Sequence, residues 1–352
     1  MKDKQENHII WLDLLRVISI FCMMLLHVCA SQFDAVDVNS FEWQVLNVYD
    51  SLVRFCVPVF VMISGVFFLD PKKEYPLKKL LKKNIWRIVT AYLFWSVCYA
   101  VVISFIDYRT INRAYFENVA RETITGRYHL WFLNMIVGIY LVVPILRKIS
   151  QDKKLTEYFI LLSFFGCYVG NLLKILPVVG EIIGTVQDKS SFYLVAGYTG
   201  YFMAGYYFYT YDISGKWKKA IYALGGASLL LTGIGTSVLS LQTGKADARL
   251  YDYLFPTICC VAWAVFLFFK ERVSYIRFSE KSGHSIVSLA GLSFGMYLVH
   301  DFVNCVLKFA GITPVSFNTI LAVPLLAGVV FAVSFAVIWV MSKIPFARKY
   351  LM

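Results

Sequence analysis

The stretch from His8 to Ala30, HIIWLDLLRVISIFCMMLLHVCA, constrains the chain more than any other. It is long and apolar enough to cross a bilayer, which takes about 20 apolar residues, yet it contains Asp13, Arg16 and His27. An ionisable group inside a span is costly and by default marks a site. Arg16 and His27 are eleven residues apart, about 16 Å of helical rise, and their directions agree to within roughly 20°. One helix face therefore offers a guanidinium near one boundary and an imidazole beyond the middle. In the plainer reading, Arg16 and Asp13 snorkel to the interface and His27 only packs. The shared face favours a site.

Composition supports the membrane reading. The 352 residues are 59% hydrophobic and 16% charged, with a mean hydropathy of +0.64. A soluble chain of this length carries more charge. The fold class is all-α, a polytopic integral membrane protein of about ten transmembrane helices. The expected spans are 9–31, 45–69, 86–106, 129–147, 157–176, 191–210, 219–240, 251–269, 286–308 and 317–342. The net charge of +12 does not point to nucleic acid, because Lys and Arg cluster in short connections. With the N-terminus inside, 23 of them fall on the cytoplasmic side and 9 outside, with Arg16 and Arg54 within spans. That bias puts both termini in the cytoplasm. The first span is too long and too charged for a cleavable signal and lacks a small-residue cleavage site. The eight cysteines form no metal-type spacing and read as packed thiols. Residues 1–352 read as a single domain, with no inverted repeat apparent to mark a transporter.

Further polar residues stand in or beside the spans. Arg54 lies near the outer end of the second span, where it either snorkels or holds a polar acceptor group, and Pro58 after it can kink the helix. Lys72 to Lys83 supplies six ammonium groups that orient the protein and touch anionic lipid. Lys83 and Arg87, four apart at a helix mouth, share a face and are expected to grip phosphates. His129 sits among the belt aromatics Tyr128 and Trp131. His300 and Asp301 form a polar pair in the ninth span. With Asp13, the residues Arg54, His129 and His300 are candidates for an acceptor cleft.

WLDLLRVISIFCMMLLH resembles the first-helix signature of the membrane-bound acyltransferase-3 family. VPVFVMISGVFFL, YHLWFLNMIVGIYLVVPIL, YFMAGYYF and SFGMYLVH resemble its later landmarks, in the right order and over essentially the whole chain. The nearest flavour is the standalone O-acetyltransferase type that modifies enterobacterial common antigen. The resemblance implies transfer of an acyl group, usually acetyl from acetyl-CoA, to a hydroxyl of an envelope glycan or its lipid-linked precursor, in the bacterial cytoplasmic membrane. Acyl-CoA is then a substrate, with no bound cofactor and no metal, and the partners are the glycan and membrane lipid. By motif match, His27 and Arg16 inherit catalytic roles and Arg87 donor binding, with Lys83, outside the motif, as the expected substitute beside it. The family's Arg-x-x-Arg pair is incomplete here, with Asn84 in its first place. His27 is expected to act as general base or as an acyl carrier. The rival readings are a transporter or flippase using the same cleft, and a membrane scaffold.

Overall fold

The computed structural model describes residues 9–108 and 110–352. These are mostly helical, without a strand among them. Lys2, Lys4 and Arg109, which entered the charge count, lie outside the described residues.

In chain order, α1 runs Ile10–Ala30, α2 Phe41–Val53 and α3 Cys56–Leu69. The turn α4, Leu77–Lys79, continues as a π-helix, Leu80–Ile85, into α5, Trp86–Tyr108. After α6, Arg113–Thr125, a 3₁₀ turn at Tyr128–Leu130 opens α7, Trp131–Ile149. Then come α8, Lys153–Ser163, a second π turn, Phe164–Val169, and α9, Gly170–Leu173. The rest are α10, Val179–Ser190; α11, Phe192–Thr210; α12, Gly215–Thr243; α13, Pro256–Glu271; α14, Glu280–Phe309; α15, Thr319–Met341; and α16, Pro345–Tyr350.

Short polar residues set several of these starts. Ser40, Asn112, Asp152, Ser279 and Asn318 each accept a hydrogen bond from a backbone N–H in the first turn of the following helix, which satisfies one of its orphan donors. The second span does not kink around Pro58. It breaks at Arg54 and Phe55, and Pro58 falls in the first turn of α3, where a missing N–H costs little.

Among the described residues, nine helical segments are long and apolar enough to cross a membrane. They correspond to nine of the ten expected spans. The tenth, expected at 191–210, is α11, whose six tyrosines and three glycines lower its hydropathy. It nonetheless runs the depth of the bundle. Tyr198 packs on Trp131 at the end where α7 begins, and Tyr209 stacks on Trp11 in the first turn of α1. Tyr201, Phe202, Met203 and Ala204 are fully buried. α11 packs most closely on α3, and α1 is surrounded by α2, α3, α13, α14 and α15. The longest connections are themselves helical: α6 and α10 fill the intervals that separate the third from the fourth span and the fifth from the sixth.

Candidate functional site

The face of α1 that carries Arg16 continues through Ile20 and Met23 to His27, and all four line one cavity of about 420 Å³. Their steps of four, three and four residues keep them on one side of the helix. Opposite stand Phe60, Ser64 and Phe68 of α3, and α14 closes the space with Ala290, Gly291, Ser293, Phe294 and Tyr297. Lys83, Asn84 and Arg87 complete the wall. Lys83 and Asn84 lie in the π-helix and Arg87 just after it. Single π turns inside helices are frequent at functional sites.

Arg87 is already part-committed. Its Nε and Nη2 donate to the backbone carbonyl of Met352, at 2.9 and 2.6 Å. Arg16 makes an ion pair of 3.2 Å with the buried Asp13 one turn earlier and lies over the ring of Phe67. Asp13 thus holds Arg16 from behind and does not line the cavity.

Beyond the middle of α1, three imidazoles gather. The ring of His300 lies 4.9 Å from those of both His27 and His129, and His27 and His129 are 6.4 Å apart. His300 is fully buried, and its Nδ1 lies 2.6 Å from the carbonyl of Tyr297. A carbonyl can only accept, so Nδ1 carries the proton and Nε2 of the neutral ring is a bare acceptor, with no hydrogen-bond partner among the described residues. His129 is buried on the cavity wall. The Tyr297 hydroxyl fixes its position by donating to its backbone carbonyl. No group of three His, Cys, Asp or Glu among the described residues is arranged to hold a metal.

Arg54 stands apart from this cluster. It forms a buried ion pair of 2.6 Å with Asp50 and lies over the faces of Tyr251 and Tyr253. It lines a separate cavity of about 830 Å³, which shares only Trp131 and Tyr253 with the first.

A third cavity, about 350 Å³, has His27 in its wall as well. Arg127, Tyr128, Asp301, Asn304, Cys305 and Lys308 line it. The buried Asp301 accepts from Arg127 Nε at 2.8 Å and from the Tyr128 hydroxyl at 2.9 Å, and that hydroxyl is 3.5 Å from Nδ1 of His27. Arg127 and Tyr128 look like boundary residues in the sequence, and only their 174-residue reach to Asp301 separates them from an interfacial belt.

Comparison with known proteins adds one finding. The sequence model of a family described as an acyltransferase domain (Acyl_transf_3) matches residues 9–342. Neither the curated proteins nor the solved structures give a match.

Proposed function

The chain belongs to the Acyl_transf_3 family of acyltransferases, and on that premise we propose that it is an integral membrane O-acyltransferase, moving an acyl group, acetyl first among them, from cytoplasmic acyl-CoA to a hydroxyl of an envelope glycan or its lipid-linked precursor. One observation carries this reading: a single cavity runs from the cationic trio Arg16, Lys83 and Arg87 to His27. Coenzyme A has phosphate charges that cannot enter hydrocarbon and a thin pantetheine arm that can thread between helices. Lys83 and the uncommitted Nη1 of Arg87 hold the phosphates. Arg16, about 16 Å of helix rise below His27, steers the arm and does not reach the reacting carbonyl. His27, as neutral imidazole, takes the proton of the attacking hydroxyl. The orientation that fits has both chain termini in the cytoplasm of a bacterial inner membrane, with the imidazole cluster toward the outer face.

Michaelis kinetics in sealed vesicles test the assignment. Lys83→Gln with Arg87→Gln should raise the KM for acetyl-CoA at least tenfold, with a smaller change in kcat. His27→Ala should keep the protein folded and acetyl-CoA bound while turnover falls about 10²- to 10⁴-fold, as for loss of a general base. Acetyl-CoA should support turnover from the cytoplasmic face alone. A folded His27→Ala protein with near wild-type turnover removes the reading.

A further inference from the structure

His27 belongs to the walls of two cavities, and the chemistry on its two sides differs. The larger one ends on the cationic trio. The smaller one carries no phosphate-binding cluster: Asp301 neutralises Arg127 by a 2.8 Å ion pair, which leaves Lys308 as its one unbalanced charge among the lining residues. What it offers instead is a set of close-spaced neutral and paired hydrogen-bonding groups. Asn304 contributes an amide whose Nδ2 is buried without a hydrogen-bond partner among the described residues. A buried unsatisfied donor is costly, so a ligand that accepts from it gains what the apo protein forgoes. Asp301 has lone pairs left after its bonds to Arg127 and Tyr128.

Alternating donors and acceptors within one 350 Å³ space match the vicinal hydroxyls of a sugar ring better than a single lipid alcohol. We propose that this cavity is the acceptor's own subsite, that it takes a sugar ring through Asp301 and Asn304, and that donor and acceptor reach His27 from different cavities and meet at the edge of its ring. The inference rests on the acyl-transfer reading above.

The geometry also selects the reacting atom. The one proton of the Tyr128 hydroxyl goes to Asp301, so Tyr128 does not donate to His27 across the 3.5 Å between them, and in the tautomer of His27 that carries its proton on Nε2 the Nδ1 lone pair is left for a sugar hydroxyl. That hydroxyl gives its proton to Nδ1 as its oxygen bonds to the thioester carbonyl carbon. The carbon–sulfur bond then breaks, and the imidazolium returns the proton to the departing thiolate. The products are the sugar ester and free coenzyme A.

The test uses the full chain in detergent or vesicles, acetyl-CoA as donor and a panel of methyl glycosides of hexoses and N-acetylhexosamines as acceptors, with the released thiol measured. Wild-type protein should turn over at least one glycoside. Asn304→Leu should raise the KM for that glycoside at least tenfold and leave the KM for acetyl-CoA unchanged; Asn304→Ala, which adds no bulk, should do the same to a smaller degree. An unchanged glycoside KM in both variants, or an equal rise for donor and acceptor, overturns the subsite. Wild-type protein that binds acetyl-CoA but uses no glycoside also overturns it and leaves the acyl-transfer reading standing. Failure to bind acetyl-CoA removes that reading itself.

Discussion

Arg54 illustrates how far a single residue can be read. Its place near the end of a span marks it as polar business of some kind, but sequence spacing cannot tell a ligand-binding guanidinium from one already spoken for. Asp50 is one turn away and almost fully buried, and the pair closes at 2.6 Å. Removing one partner of a buried pair leaves an uncompensated charge and typically costs 3–5 kcal/mol, whereas replacing both by apolar groups is often neutral. Asp50→Ala should therefore lower the thermal midpoint of the purified protein sharply, and Asp50→Leu with Arg54→Leu should recover most of the loss. Equal midpoints for the single and double variants would show that the pair carries no such penalty. His27, Arg16, Lys83 and Arg87 were legible because helical periodicity and local motif suffice to place them. Arg127 and Asp301 were not paired in advance, since nothing local links residues so far apart. The hold of Arg87 on Met352 escaped for the same reason.

At the scale of elements, the spans were visible as apolar runs, while π geometry was not, because a π turn comes from packing and leaves no compositional mark. α11 shows the opposite case: its tyrosines and glycines depress hydropathy, yet they are the means by which it crosses close to α3. A Cβ on Gly65 would run into the carbonyl of Phe202, and one on Gly205 into the backbone of Met62. Each helix thus offers a glycine to the other's main chain, the small-residue contact that lets membrane helices approach. Gly65→Ala or Gly205→Ala must push the pair apart and should cost about 1–3 kcal/mol, the usual range for overpacking. Gly138→Ala is the control, with nothing within 4 Å of its added methyl. Unfolding midpoints in one detergent compare the three; a loss no greater for Gly65→Ala than for Gly138→Ala would mean that the crossing is loose. Because α3 also carries Phe60, Ser64 and Phe68 on the cavity wall, the same variants should weaken donor binding.

Taken whole, the molecule is a bundle with one hollow along its first helix and another at the far end of that helix, and the apolar runs foretold the bundle far better than the hollows. Cavities are what side chains from distant segments fail to fill, so no window of sequence announces them. The two hollows share His27: the imidazole stands where they meet, backed by the rings of His300 and Tyr128. A membrane enzyme that admits water-soluble reactants from both faces has an obligation that a soluble enzyme lacks, which is to avoid becoming a pore. On the acyl-transfer reading proposed above, the base is then also the insulation. His27→Ala should leave a gap that water can thread, and proteoliposomes carrying it should dissipate an imposed pH gradient, followed with an entrapped dye, several-fold faster than wild type. His27→Phe, which restores bulk without a basic nitrogen, should reseal them while staying inactive. Identical decay in all three would place the barrier to protons elsewhere in the bundle. If the proposed function holds, a cell carrying the alanine form would lose proton-motive force as well as acyl transfer, so the two defects would need separate controls in any growth assay.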